Sequence, residues 1–439
     1  MSIPNLHSAT PTEFIKFLKE ENISRFYLVY DKKRNRVMAS HPKLNEFAQF
    51  LENDKRDFEE HEGIFIQLSS QYDTLLGAFI HRTNRGQAAG GVRYWSYDSI
   101  MDYMRDGLRL AKGMTHKNAL AGLWWGGGKG VMAHNPNVDK NDPEVREFLY
   151  KEYGKFMTSI KGCYVTAEDV GTSIDDMANI FSNTRFTTCI PHNVGGSGNP
   201  SVPTARGVVA GMEAAVHYLN AESLEGKTIA IQGLGHVALP MIKFLFEKKV
   251  KKIVACDIFK NAVKNAKHEF YGENFEARLA GMNDNSILYE ECDILAPCAI
   301  GAILNKDTIP LIKAKIICGA ANNQLEDPLA DDMRLFEKGL IYVPDFLTNR
   351  MGIVNCADEQ AGYLDNDPNV ERHLSKDWEY SIHQTTLKVL EESKTENTPP
   401  GKVAIELADK LSRELNPIYG HRSQLIINSL VENGWERSE

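Results

Sequence analysis

Thr228-Ile-Ala-Ile-Gln232-Gly233-Leu234-Gly235-His236-Val237-Ala238 decides how this 439-residue chain is read. TIAIQ is a short apolar run of strand-forming residues, and the glycines after it open an apolar helical pattern. Gly233 permits a tight turn, and Gly235 lets the backbone approach a pyrophosphate. Ala238 is small enough for the helix to sit close to the strand. The helix start, from His236 and Val237 onward, offers free N–H groups and a partial positive charge to phosphates. Asp257 closes the next strand-like run, KIVACD, at the ~20-residue spacing where a carboxylate meets a ribose hydroxyl. Strand, glycines and acid together predict a dinucleotide site. The same carboxylate repels a 2′-phosphate, which favours NAD over NADP, although Lys260 nearby works against that preference.

Outward from this turn, strand-like and helix-like stretches alternate through DILAP, KIICGA and IYVPD. Such alternation implies a parallel sheet with helical crossovers, so residues 205–357 are expected to form a Rossmann-type domain. The first 204 residues read differently. FYLVY (26–30), IFIQL (64–68) and LLGAFIH (75–81) suggest a mixed sheet, after a helix opened by Thr10-Pro11. A long helix is expected from Asp98 to about Gly113, then a glycine run leading into the strand KGVMAH. Another helix is expected at about 142–160, and one capped by Ser173. Residues 358–439 turn helical again and are expected to pack back on the first domain. The fold class is therefore α/β: a substrate domain, a Rossmann domain and a cleft between them.

Composition narrows the function. The chain is 42% hydrophobic and 25% charged, with a net charge of −9 and no basic block. A nucleic acid would demand a clustered basic face, so no such partner is expected. No apolar run of ~18 residues could span a bilayer, and the N-terminus carries no signal-peptide pattern. Seven dispersed cysteines read as reduced thiols in a cytoplasmic protein. Nothing suggests a metal site.

The segment Gly113–Lys129 supplies two lysines. Lys129 follows Gly126-Gly127-Gly128 and is flanked by apolar residues, which places an ammonium in a poorly hydrated cleft. To act near neutrality a lysine must lose roughly 2–3 units from its free value, about 3–4 kcal/mol. Burial and a second ammonium, Lys117, both push that way. Tyr164-Val-Thr-Ala-Glu168-Asp169-Val-Gly171 adds an acidic pair, with Asp169 placed to exchange protons and Glu168 to orient neighbours.

These stretches resemble the glutamate/leucine/phenylalanine/valine dehydrogenase family, the leucine and phenylalanine branch above all. The colinear motifs include AAGGVRYW, KGMTHKNALAGL, GGGKGV, YVTAEDVGT, GNPSVPTARGV, GLGHVA and PDFLTNRMGIVNCADE. The resemblance implies oxidative deamination of an L-amino acid with NAD, with Lys129 and Asp169 catalytic. Lys117 would bind the substrate carboxylate, helped by Gly90 and Gly91, with Met114 and Asn349 also near substrate. Thr204, Ala320 and Asn322 would meet the nicotinamide end of the cofactor. A homo-oligomer is implied as well. Glutamate-acting members carry a lysine where this chain has Ala89, so glutamate would lose its side-chain partner, at a cost of ~3–5 kcal/mol. Alanine leaves room for a long or aromatic side chain. Arg350-Met351 departs from the family's Ala-Gly. A guanidinium there either binds a polar substrate group or faces solvent, so a non-standard amino acid remains a second reading, and glutamate a third.

Overall fold

The computed structural model describes residue 5 and residues 8–437. Its first sheet is built from β1 (Arg25–Asp31), β2 (Arg36–Ala39), β3 (Gly63–Leu68), β4 (Leu75–Arg82), β5 (Ala88–Ala89), β6 (Val92–Trp95), β7 (Gly126–Ala133) and β8 (Tyr164–Val165). The order is β2-β1-β3-β4-β7-β5-β8, with β6 also on β7. β1 to β4 and β4–β7 pair antiparallel, whereas β5, β6 and β8 join in parallel. This is the mixed sheet expected from the alternating runs. Helix Pro11–Glu20 opens the chain with a reciprocal Thr10–Glu13 capping box, which satisfies two otherwise free donors.

Two local expectations fail. The helix from Ile100 does not stop near Gly113 but continues to Leu120. A side chain at Gly113 would meet nothing within 4 Å, so no packing demands glycine there, and burial of Ala111, Thr115, His116 and Ala119 carries the helix onward. Likewise, the strand does not begin at Lys129 after the glycine run; Gly126-Gly127-Gly128 are the first residues of β7. Thr115 and the Tyr164 ring press where side chains of Gly127 and Gly128 would lie. The glycines thus let a helix and a neighbouring strand close on the β7 backbone.

The second sheet contains β9 (Thr228–Gln232), β10 (Lys252–Asp257), β11 (Phe275–Leu279), β12 (Ile294–Pro297), β13 (Ile316–Ile317) and β14 (Ile341–Tyr342). All pairs are parallel, in the order β11-β10-β9-β12-β13-β14. The order reverses direction at β9, which places a ligand crevice beyond the carboxyl end of that strand. Ile229, Ile231, Ile253 and Ala255 are buried among the helices that cross over.

The C-terminal helices divide their contacts. Ile382–Glu396 packs on Ser201–Tyr218, beside the second sheet, whereas Pro400–Ser412 packs on Ile100–Leu120. Farther on, Ile427, Leu430 and Trp435 join the apolar core of the first sheet. Arg82 pairs with Asp409 at 2.6 Å and His421 lies 3.1 Å from Glu62. Pro400–Ser412 and the residues after it thus lie beside the first sheet, and Ile382–Glu396 beside the second.

Candidate active site

β7 carries Lys129 into the cleft between the sheets. Its side chain is 5% exposed, and its Nζ lies 2.9 Å from Asp169 Oδ2, just beyond β8. Arg93 on β6 reaches the same oxygen through Nε at 3.0 Å. Arg93 is itself held by both oxygens of Asp106, at 3.0 and 3.1 Å. The Tyr97 hydroxyl donates to Asp106 at 2.6 Å. Gly90 and Gly91 lie against this cluster: a side chain at Gly90 would strike Gly128 O and the Met114 side chain, and one at Gly91 would strike Asp169 Cβ.

Burial drives the Lys129 ammonium below the usual lysine range, Arg93 adds to that, and Asp169 opposes it. Burial pushes Asp169 upward, but Lys129 and Arg93 overcome it and hold the carboxyl at about 2. Glu168 is pushed up to about 7 by burial and by the adjacent Asp169 charge. Its Oε2 lies at 3.5 Å from Asn199 Nδ2.

Lys117 stands in the last turn of Ile100–Leu120, facing the second sheet. Its Nζ donates to Asn322 Oδ1 at 3.4 Å. Asn349 Nδ2 donates to the same oxygen at 2.8 Å and to Ala320 O at 3.1 Å. Burial, with Lys129 nearby, brings Lys117 down to about 8. Buried Asp345 faces it, pushed up by burial and pulled back by Lys117. The structure therefore brings Lys117, Lys129, Asp169, Gly90, Gly91, Met114, Asn322 and Asn349 to one cleft. Ala89 sits one residue away on β5, 1% exposed, in an apolar cluster with Ala167, Ile353 and Cys356.

Gly233, Gly235, His236 and Val237 form the turn after β9, and Ala238 opens helix Ala238–Glu247. Gly233 has φ +97°, and a side chain there would strike Ala299. Space above Gly235 is open, and the helix start has no side-chain cap. Asp257 at the end of β10 accepts from Leu234 N at 2.8 Å and Phe259 N at 2.8 Å. An open, uncapped helix start beside a fixed carboxylate fits a dinucleotide. Asn349 Oδ1 is buried without a partner among the described residues. Thr204 lies in the first turn of Ser201–Tyr218, its hydroxyl bonded to Pro200 O at 2.8 Å.

Arg350 corrects a sequence expectation. It neither faces solvent nor opens on the cleft, being fully buried. Nη1 donates to Leu120 O at 2.6 Å, and Nη2 donates to Tyr380 O and to Thr385 Oγ1. Burial without a carboxylate lowers it to about 9. Reading the sequence also missed Arg93 and Asp106. A single arginine on a strand carries no signal of its partner, although the GGVRY spacing does put Arg93 beside the paired glycines.

A Rossmann domain facing a dry lysine–carboxylate pair defines a two-domain dehydrogenase with a nicotinamide cofactor. The chain belongs to the glutamate/leucine/phenylalanine/valine dehydrogenase family: residues 195–410 match its dehydrogenase domain and residues 71–186 the domain described as Glu/Leu/Phe/Val dehydrogenase, dimerisation domain. It is 44% identical over 336 residues to a leucine dehydrogenase of Bacillus cereus, covering 76% of this chain and 85% of that one. A phenylalanine dehydrogenase of Lysinibacillus sphaericus is 38% identical, over 72% of this chain and 78% of its own. The crystal structure of L-tryptophan dehydrogenase from Nostoc punctiforme superposes with a TM-score of 0.66 at 29% identity, covering 84% of this chain and 98% of that one. Among the described residues no helix is long and apolar enough to cross a membrane, and no group of three or more metal-ligating side chains occurs.

Proposed function

We propose that this protein oxidatively deaminates an apolar L-amino acid to its 2-oxo acid and ammonium, using NAD. The observation that carries this reading is the buried Lys129 ammonium 2.9 Å from Asp169. Lys117, whose Nζ is already set toward Asn322, binds the α-carboxylate. Asp169 receives the α-ammonium and takes one proton from it, which leaves the neutral amine able to become an iminium as Cα loses hydride. NAD held at the Gly233–Asp257 turn would supply the acceptor for the hydride leaving Cα. Neutral Lys129 then takes a proton from the attacking water and returns it as ammonia leaves, which its lowered pKa favours. Asp257 supports NAD over NADP, because a 2′-phosphate would stand against a carboxylate.

Ala89, Met114, Ala167, Ile353 and Cys356 make an apolar wall near the substrate position. None of them can neutralise a side-chain carboxylate, which disfavours glutamate. The small Ala89 favours a long aliphatic or aromatic side chain. Assembly as a homo-oligomer belongs to the same proposal and is read by sedimentation.

The test follows NADH absorbance as purified protein is offered NAD and each L-amino acid, with Lys129→Ala as the blank. Lys129-dependent turnover of leucine, phenylalanine or a relative, with glutamate inert, is the expected result. Brisk turnover of glutamate would overturn the side-chain argument and leave the chemistry standing.

A further inference from the structure

Away from the catalytic cleft, a cavity of about 580 Å³ opens where three parts of the chain meet. One is the crossing from the first sheet to the second, at Ile190, Val194 and Gly195. Another is the returning chain at Glu359 and Gln360. The third is the start of helix Arg422–Glu432. The cavity shares no lining residue with the Lys129 cluster or the Gly233–Asp257 turn.

Its chemistry is one-sided. Lys161, Arg185 and Arg422 line it, and among the described residues none of the three makes an ion pair. Arg185 lies over the Phe186 ring at 5.5 Å, and Arg422 over Tyr419 at 5.7 Å, contacts that place the guanidinium groups without neutralising them. The single carboxylate in the lining, Glu359, is already engaged by the N–H groups of Cys189, Ile190 and Ser197 and by the Ser197 hydroxyl. In a chain of net charge −9, three unpaired cations around one cavity are a local excess.

The helix start adds directed donors. His421, at the N-cap, gives no side-chain cap, because its ring is turned to Glu62 and Thr83. The first N–H groups of Arg422–Glu432 therefore lack acceptors and carry the positive end of the helix dipole. Ser423 in that first turn is 2% exposed, lines the cavity, and its hydroxyl has no hydrogen-bond partner among the described residues. With no protein partner, that hydroxyl is free to donate to an anion at the helix start. Phe181, Phe186, Ile190 and Ile426 supply apolar lining to the same cavity.

We infer that this cavity binds a small organic anion, a phosphate or carboxylate group on an apolar body. The charged group sits at the start of Arg422–Glu432 against Ser423, and the body lies along Phe186 and Ile190. Both interdomain passes touch the cavity, so an occupant biases the hinge and with it the cleft. That effect on turnover rests on the reading of the cleft as a dehydrogenase site; the binding does not.

The experiment is isothermal titration of the NAD-saturated enzyme at low salt with phenyl phosphate, phenylacetate and inorganic phosphate. NAD fills the dinucleotide turn, and Lys117→Ala identifies any binding that occurs in the substrate cleft. Saturable binding of one aromatic probe per chain is expected, preserved in Lys117→Ala and weakened at least tenfold in Arg185→Ala/Arg422→Ala. Ser423→Ala should weaken it several-fold, and turnover without probe should stay at the wild-type level in Arg185→Ala/Arg422→Ala and in Ser423→Ala. Tighter phenyl phosphate assigns a phosphate ligand, and tighter phenylacetate a carboxylate. The inference is overturned if no probe binds, if binding is lost in Lys117→Ala and kept in the double arginine variant, or if that variant changes only the sedimentation of the protein. The last result would make the cavity a subunit contact.

Discussion

Lys129 and Arg93 close on the same oxygen of Asp169, Oδ2, at 2.9 and 3.0 Å. Oδ1 has no partner among the described residues and is the atom free to meet a substrate amine. Arg93 thus acts through Asp169, fixing its rotamer from a base that Asp106 and Tyr97 brace. Arg93→Met should lower kcat by roughly 10–10²-fold, as expected for a reacting group set slightly out of place, with a smaller change in KM. The pH dependence separates the neighbours. Neutral Lys129 is the active form, so kcat/KM for deamination rises as pH climbs through its lowered pKa. Removing the Arg93 cation raises that pKa and shifts the rise to higher pH. Asp169→Asn removes the anion that raises it and shifts the rise to lower pH. Lys129→Ala should cost ~10²–10⁴-fold in kcat. A pH-rate series on the three variants checks this, and shifts of one sign in both neighbours would refute the network. Lys117, at about 8, must be charged to hold a carboxylate, so KM for the amino acid should climb as pH passes about 8.

At the scale of elements, the buried guanidinium of Arg350 ties the end of helix Ile100–Leu120 to Tyr380 and to Thr385 on Ile382–Glu396. Arg350→Met would strand the carbonyls of Leu120 and Tyr380 in a dry interior, at ~1–3 kcal/mol each. Relief of an unpaired buried charge offsets part of this. A net loss of about 2–3 kcal/mol in urea is expected, with KM for the amino acid unchanged, since the side chain does not reach the cleft. A raised KM at unchanged stability would return Arg350 to the substrate. The sequence disclosed the parallel sheet readily, because TIAIQ, the glycines and Asp257 form one local pattern. Lys129 and Asp169 were legible for the same reason. Arg350, Arg93 and the glycine half of β7 were not, because their meaning lies in partners distant in sequence. Gly113 reads as a helix stop, and only burial of the flanking residues overrides it.

The site exists only where the two sheets meet. Lys129, Asp169 and Lys117 come from the first half, while Asn322 and Asn349 come from the second, joined at 3.4 Å between Lys117 and Asn322. The chain crosses between the halves near Ile190–Gly195 and returns through helix Met351–Glu359. Glu359 clasps both passes, accepting from Cys189 N at 2.9 Å, Ile190 N at 3.3 Å and Ser197 N at 3.0 Å. Beside it, Cys189 and Cys356 thiols lie 3.1 Å apart. A carboxylate can accept all of these bonds, whereas glutamine turns an NH₂ toward donors it cannot satisfy. Glu359→Gln should therefore lose about 2–3 kcal/mol of stability, since hydrogen bonds to a charged group are worth more than neutral ones. Loosening the clasp should also raise KM for both amino acid and NAD, because fewer molecules hold the halves in register. The Lys129-dependent rise of kcat/KM with pH should stay where it is, for the clasp does not touch the Lys129–Asp169–Arg93 cluster. Urea unfolding and a pH-rate series on the same variant read the two effects separately. A shifted pH profile at wild-type stability would place Glu359 in the proton path and remove it from the hinge.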